Sequence, residues 1–403
     1  QAQVWDVSLL GRNPKGIRST NRDAFRKWLA MHFEQNVAYD RIVHKLLKAE
    51  EDNSKLFYVA YRNSDDLTTR TMRFFLGTQL QCAKCHDHPY ESWTQQDYYG
   101  MAGFFVRTYI VETDGANEHI KKFYVGEKST GEVNFKITPK DAQPGTKDEP
   151  VKPRFLGGDE LEEPELPKDF KEPKVEPKKA PPKPQFSRRE KVVEWITAKE
   201  NPYLARAVVN RIWGQFMGRG FVHPVDDFNS GNSPNHPELL KAIESGFVAH
   251  QFDLKWIIRE IVNSEAYQAA DTGPVKDALP RYYERARIRP LSVEELTESL
   301  HIATGLGVES ALNSRLSRDM VKYLGEPIDG QGKFQGSLTE HLFIHNGDVF
   351  RGLCHPRNGN LAETLLKSED DWNAKVERMF VSVLSRTPNS EERERFVNYL
   401  DVD

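Results

Sequence analysis

A proline-rich segment between residues 139 and 184 is the sequence feature that most limits how this chain can fold. Eleven of the 23 prolines fall within these 46 residues, where lysine and glutamate are also frequent. Such a composition buries too little apolar surface to form a core, and proline favours extended backbone. We therefore predict a domain at 1–138, a surface linker at 139–187 and a second domain at 188–403. Within the linker, the short apolar segment 154–158 is expected to dock against a domain.

Both predicted domains show apolar residues at three- and four-residue steps, the period of a helix with one buried face. Between the first domain's helices and the linker, alternating side chains around Phe123–Val125 and Val133–Ile137 predict a β-hairpin at 122–137. The glycine-rich stretch 306–360 shows no clear pattern. The expected fold class is mainly α with a small hairpin, and the predicted helical ranges are 20–62, 67–81, 94–105, 188–217, 236–247, 254–264, 291–305 and 372–400.

Charge and hydropathy exclude two classes of protein. The formal net charge is −4, whereas nucleic-acid-binding domains usually carry a basic surplus. No apolar run approaches the roughly 18 residues that a spanning helix requires. We therefore expect no nucleic-acid partner and no transmembrane segment. Because the chain opens at Gln1, we also expect a mature or trimmed product.

Three of the positions in Cys82-Ala83-Lys84-Cys85-His86 form the C-x-x-C-H pattern of covalent c-type haem attachment. The spacing has a chemical reason, since two thiols on one turn can each add to a haem vinyl group. The following imidazole then serves as the proximal iron ligand. The chain has only three cysteines, which makes a chance match a poor explanation. We predict haem c at Cys82, Cys85 and His86, with Tyr98, Tyr99, Phe104 and Phe105 as its apolar wall.

Two alternative functions of the same Cys/His cluster stay open. Cys82, Cys85, His86 and His88 could hold a tetrahedral zinc ion, although structural zinc usually joins two separated ligand pairs. A redox-active dithiol is a further alternative. For the sixth iron ligand Met101 is one candidate, and the others are His223, His236, His345 and His355. His88 suits a supporting role or a separate metal better, because Pro89 follows it immediately.

Asp226 and Asp227 form a second polar group. Adjacent carboxylates can pair with arginine, bind calcium or act on a substrate, but this stretch supplies too few oxygens for calcium. We expect an Asp–Arg network with Arg211 or Arg219. Motifs for phosphate loops, serine hydrolases and H-E-x-x-H zinc enzymes are missing.

Several long strings resemble a family of large secreted planctomycete proteins. The string from Phe75 to Pro89, followed by Trp93-Thr94 and Tyr98-Tyr99-Gly100, resembles their cytochrome-like domain, catalogued as a domain of unknown function (1549). The companion domain of unknown function (1553) is similar at Asn201–Tyr203, Asn210–Trp213, Gly218–Val222, Pro224–Phe228, His236–Leu240, Ile261–Ser264, Tyr267-Gln268 and Leu384–Pro388.

This resemblance implies an exported bacterial protein and favours haem, but it supplies no activity. Larger members carry a further cytochrome c domain, and this chain has no second C-x-x-C-H. We therefore expect it to be part of a longer protein.

Three functions follow as hypotheses. The first is a periplasmic or secreted c-type haem protein that exchanges electrons with a redox partner protein, or performs a haem-based redox step. The second is a non-redox scaffold with a structural zinc at the Cys/His cluster. The third is a hydrolase of extracellular polymers with its site around Asp226, Asp227 and His236. The sequence does not decide whether the chain is an enzyme, nor its oligomeric state.

Overall fold

The computed structural model describes residues 1–12, 14–88, 91–114, 121–134, 150–271, 279–286, 291–307, 315–324 and 338–401. The chain divides into two compact units, Gln1–Ile288 and Arg289–Asp403. The described ranges contain eighteen α-helices and two small antiparallel strand pairs, which confirms the mainly α fold class. None of these helices is both long enough and apolar enough to cross a membrane.

The first unit contains eleven of the described helices. In most of them apolar residues recur at three- and four-residue steps, so that one face is buried, whereas the short helix Glu265–Gln268 has no buried residue. The bounds are α1 Ala2–Leu10, α2 Ser19–Glu34, α3 Tyr39–Lys48, α4 Leu56–Ala60, α5 Ser64–Thr71, α6 Gln95–Ala102, α7 Arg188–Thr197, α8 Leu204–Met217, α9 Pro237–Ala249, α10 Leu254–Val262 and α11 Glu265–Gln268. Helix α1 lies outside every range predicted to be helical.

The helix predicted at 67–81 ends earlier than expected. Helix α5 continues as a π-helical turn over Met72–Leu76 and stops at Gly77, whose φ is +65°. A Cβ at Gly77 would lie 3.0 Å from Phe228 and 3.2 Å from Ala207. Glycine therefore permits both the left-handed conformation and the close approach of residue 228. As a result, the non-helical residues 77–81 separate the cysteine motif from the helix, instead of the motif lying at the helix end.

The predicted hairpin at 122–137 is wrong in its pairing. Strand β2 (Lys121–Glu127) pairs with the preceding strand β1 (Thr108–Asp114), with Ile110 opposite Val125. The β-branched run in β1 makes it a good partner. Strand β3 (Val133–Asn134) pairs instead with β4 (Pro150–Val151), and residues 135–137 lie outside the described residues.

The described part of the proline-rich tract, residues 150–187, packs against the helices of the first unit. Phe155 packs between Phe104 and Trp195, at ring-centroid distances of 4.9 and 5.3 Å. Leu156 is buried in the same core, so the predicted docking segment contributes to that core. Farther along, Glu163 accepts hydrogen bonds from Arg107 and Arg188.

A single apolar core runs through the first unit, from Trp5 to Tyr283. The unit thus joins residues on both sides of the proline-rich tract. Its boundary at 288/289 differs from the domain boundaries predicted at 138/139 and 187/188.

The second unit has its own small core around Val293, Leu316 and Phe343. The range predicted as one helix at 372–400 is two helices, because Asn389 caps a new helix and its side chain accepts the Glu392 backbone N–H. Part of the stretch without a clear pattern is helical. The helices are α12 Val293–Ala303, α13 Arg315–Leu324, α14 Leu338–Asn346, α15 Asp348–Cys354, α16 Leu361–Lys367, α17 Trp372–Leu384 and α18 Ser390–Leu400.

Candidate functional site

The cysteine motif forms a tight turn on the surface of the first unit. Residues Cys82–Lys84 make one turn of 3₁₀-helix, and the Cys82 carbonyl accepts the backbone N–H groups of Cys85 and His86 at 3.2 and 3.3 Å. Ala83 points inward and is fully buried, whereas both thiols are free and exposed. The turn therefore presents two thiols to solvent, one from the first residue of the short helix and one from its C-cap, three residues later.

His86 is also exposed, and its ring is oriented by the backbone. Its Nδ1 lies 2.7 Å from the carbonyl oxygen of Asp87. Because a carbonyl only accepts, Nδ1 carries the proton, and the lone pair of Nε2 is left for another partner. A backbone carbonyl on the second ring nitrogen is a common way to orient a histidine that binds a metal.

Polar contacts from α5 and α6 hold the turn in place. The Lys84 carbonyl accepts the Tyr99 hydroxyl at 2.9 Å, and the Lys84 ammonium pairs with Asp65 at 2.6 Å. The hydrogen bond to Asp65 raises the pKa of Lys84. After the motif, Asp87 accepts the backbone N–H of Gln95 at 3.0 Å. The position of the motif thus depends on the two flanking helices as well as on the turn itself.

Three of the four residues predicted to form an apolar wall lie in the core: Phe104 has no exposed surface, and Tyr98 and Phe105 are 1% exposed. Met101, a candidate for the sixth iron ligand, is also fully buried. Phe104 packs on Phe155, as described above. Tyr99, which bonds to the turn, is half-buried. The structure therefore brings one of the predicted aromatic residues to the motif by a direct hydrogen bond.

A second loop, Val222–Asn232, lies against the segment that leads into the motif. The backbone N–H of Phe228 donates to the Gly77 carbonyl at 3.0 Å. Asn210 in α8 is fully buried and braces the loop, because its amide bonds to the backbone of Val222 and Val225. The loop also contains a cis peptide bond between His223 and Pro224. The loop Val222–Asn232 and the segment before the cysteine motif, which are far apart in sequence, therefore contact each other at Gly77.

Asp226 takes part in an arginine pair, but with a residue that the sequence did not suggest. Its Oδ2 lies 2.9 Å from Arg73, and its Oδ1 accepts the Gln79 amide at 3.1 Å. The predicted partner Arg211 stacks on the Phe74 ring at 4.3 Å. Burial lowers the pKa of Arg211, and the charge of Asp226 opposes this shift. Arg73 had no signal in the sequence beyond its place on the helix before Gly77.

Asp227 has different partners from Asp226. Its carboxylate accepts the Asn229 amide at 3.0 Å, and its backbone carbonyl accepts the Asn232 amide at 2.9 Å. These bonds close the loop on itself. The two neighbouring carboxylates thus have separate roles in the structure, one between segments and one within the loop.

The histidines proposed for the sixth iron ligand are dispersed. His236 lies among Phe221, Tyr282 and Tyr283, at ring-centroid distances of 5.7 to 6.5 Å. His345 and His355 belong to the second unit. Among the described residues, no group of three or more His, Cys, Asp or Glu side chains has the arrangement of a metal site.

The donor set at the turn fits covalent attachment of a haem. Two accessible thiols and one imidazole with a free Nε2 are what that attachment requires. The tetrahedral zinc alternative needs four converging donors, and in the described residues the four candidates do not converge.

Comparison with protein families identifies two regions of the chain. The family model PSCyt2, a protein of unknown function (DUF1549), matches residues 4–109. The model PSD1, also a protein of unknown function (DUF1553), matches residues 188–324. No curated protein and no solved structure matches the chain. The cysteine turn and the loop bearing Asp226 lie in the first and second region respectively. The chain therefore carries the two companion domains predicted from its sequence, PSCyt2 at residues 4–109 and PSD1 at residues 188–324.

Proposed function

We propose that this chain is an exported c-type haem protein and that the turn at Cys82–His86 is its attachment site. The observation that carries the proposal is the pair of exposed thiols on one 3₁₀ turn, followed by an imidazole whose Nδ1 is occupied by a carbonyl. When bound, the haem supplies one-electron transfer at its iron.

Each residue of the turn has a defined part in this proposal. The thiols of Cys82 and Cys85 would each add to a haem vinyl group, with sulfur bonding to one vinyl carbon and hydrogen going to the other, so that no oxidant would be needed. His86 would offer Nε2 to the iron, while the Asp87 carbonyl keeps its ring oriented. Tyr99 and Asp65 hold the backbone and side chain of Lys84, and thereby the turn.

Electron transfer with a partner protein is the activity that the exposed motif favours. A redox group attached at the surface can approach a partner closely, whereas a group enclosed in the core cannot. Covalent attachment of haem takes place outside the bacterial cytoplasm, and this supports a periplasmic or secreted location. A haem-based redox step is the variant of this proposal that applies if the iron keeps an open position.

The test is an absorption spectrum, oxidised and reduced, of protein made in a haem-maturing host. We expect a sharp reduced α-band that survives extraction with acidified acetone. Cys82→Ala with Cys85→Ala should abolish the retained band, and His86→Ala should retain the thioether-bound haem but change its spectrum. Cys354→Ala is the matched control, because this third cysteine is also free and exposed, and it should leave the spectrum unchanged.

A colourless protein with stoichiometric zinc would contradict the haem proposal and support the structural-zinc scaffold. The hydrolase hypothesis is tested separately by Asp227→Asn. If polymer hydrolysis is present and falls in this variant while the fold is retained, the second loop is a catalytic site. An unchanged rate removes that hypothesis.

A further inference from the structure

Two histidines of the second unit lie on the same exposed helix face. His341 and His345 are four residues apart in α14, so their side chains project from successive turns of one side. Their rings are parallel, with an interplanar angle of 1° and centroids 5.8 Å apart. Both side chains are exposed. This arrangement is independent of the haem motif.

The packing of α14 explains why this face is turned to solvent. Phe343 of this helix is buried, and its ring stacks on Tyr323 at 4.4 Å and meets Phe350 at 5.3 Å. At 100° per residue, Phe343 lies about 200° from His341 and His345. Anchoring the helix through Phe343 therefore leaves the histidine face outward.

We propose that His341 and His345 form a chelating site for a divalent transition-metal ion of the Cu²⁺, Ni²⁺ or Zn²⁺ class. Imidazole is a ligand that these ions prefer. Within the described residues, no hydrogen bond to another group fixes either ring, so the two can tilt toward one ion. Metal–nitrogen bonds of about 2.0–2.1 Å are required, and water fills the remaining positions.

The end of the helix adds little to the site. His345 lies in the last turn of α14, where carbonyl groups carry partial negative charge. Arg351 places a guanidinium at the same end, because it donates to the Asn346 carbonyl at 3.2 Å and pairs with Asp348 at 2.7 Å. The proposed binding therefore rests on the two imidazoles and their four-residue spacing.

The experiment measures Ni²⁺ binding by calorimetry on the untagged full chain with Cys82→Ser, Cys85→Ser and Cys354→Ser, which removes the three free, exposed thiols as competing ligands. We expect one Ni²⁺ per chain. His341→Ala and His345→Ala should each weaken binding at least tenfold, since either leaves a single imidazole. Equal affinity in the parent and the single variants would overturn the proposal.

A matched control distinguishes the effect of histidine spacing on Ni²⁺ binding from the effect of the number of histidines. Leu342→His combined with His345→Ala keeps two exposed imidazoles, but places them at adjacent positions about 100° apart on the helix. Leu342 is 52% exposed, so the change leaves the core intact. We expect this variant to bind no better than His341→Ala. Binding as tight as the parent would show that chelation by the four-residue spacing is not the cause.

A spectroscopic measurement gives a second test that does not depend on affinity. Electron paramagnetic resonance of the Cu²⁺-loaded parent should show superhyperfine splitting from two equatorial nitrogens, reduced to one in His345→Ala. Circular dichroism of each variant verifies that helicity is retained. A Cu²⁺ signal with no histidine nitrogen in the parent would contradict the site.

Discussion

At the scale of single residues, Asp226 is the side chain whose removal we expect to lower the free energy of unfolding most. It is buried, and it is paired with Arg73 and Gln79, which lie more than 140 positions away. Asp226→Ala would leave the Arg73 guanidinium, which is 12% exposed, without its counter-charge and beside Arg211. Removing one partner of a buried pair typically costs about 3–5 kcal/mol. We expect a loss of this size in the free energy of unfolding, measured by urea denaturation.

A surface ion pair provides the control for this prediction. Glu194 bonds to Lys191 at 2.9 Å, and the two side chains are 49% and 43% exposed. Exposed pairs contribute about 0–1 kcal/mol because water already solvates both charges. Glu194→Ala should therefore change the unfolding free energy by less than about 1 kcal/mol. If Asp226→Ala costs no more than this control, the buried pair does not stabilise the unit.

At the scale of elements, Glu163 connects the proline-rich tract to the helical core. It accepts hydrogen bonds from Arg188 and Arg107. Burial pushes the pKa of Glu163 upward, but the two guanidiniums outweigh it, and the net shift is downward. A carboxyl with a lowered folded-state pKa stabilises the fold above its unfolded pKa, about 4.3. That contribution is lost as the pH falls through the folded-state value.

Glu163→Gln should consequently make the free energy of unfolding depend less on pH in the acid range. We expect the wild-type unfolding free energy to fall more steeply than that of the variant below about pH 4.3. The measurement is urea unfolding at a series of pH values from neutral to acid. Glu165→Gln is the control, since this residue is exposed two positions farther along the same tract. Parallel profiles for wild type and Glu163→Gln would show that Glu163 is not a pH-dependent anchor.

At the scale of the whole molecule, the first unit should be the smallest folding piece that contains the cysteine turn. Cutting the chain at residue 138 would remove Phe155 from Phe104, and Asp226 from Arg73. It would also expose the core faces that α7 and α8 cover. We expect fragment 1–288 to unfold cooperatively in urea, because one continuous apolar core runs through it. Fragment 1–138 should show no such transition by circular dichroism. A cooperative transition in fragment 1–138 would instead support the predicted domain boundary.

The sequence was most informative where structure is local. The helices around Trp28, Leu46 and Trp213 lie within ranges that periodicity predicted, because burial of one face repeats every three to four residues. The cysteine turn is equally local, since its thiols and imidazole lie within five consecutive positions. The identity of its donors, their chemistry and the family resemblance therefore required no tertiary information.

Pairings between distant segments needed the folded chain. Lys121–Glu127 has the alternation of a strand, but the same pattern suits a partner on either side, and the partner is the preceding strand. Helix α1 gave no clear periodic signal. Arg73 is one of many arginines in the sequence, and only the left-handed turn at Gly77 brings its neighbourhood against the loop of Asp226.

The sequence by itself determined the helical class, the cysteine turn and its donors, because these depend on neighbours along the chain. Only the tertiary structure decided that the proline-rich tract packs on the core, that Met101 and Phe104 are buried in it, and that Asp226 pairs with Arg73. These outcomes depend on how much apolar surface distant segments bury together, and on which charge is desolvated beside which. Neither quantity is encoded in the spacing of residues within one segment.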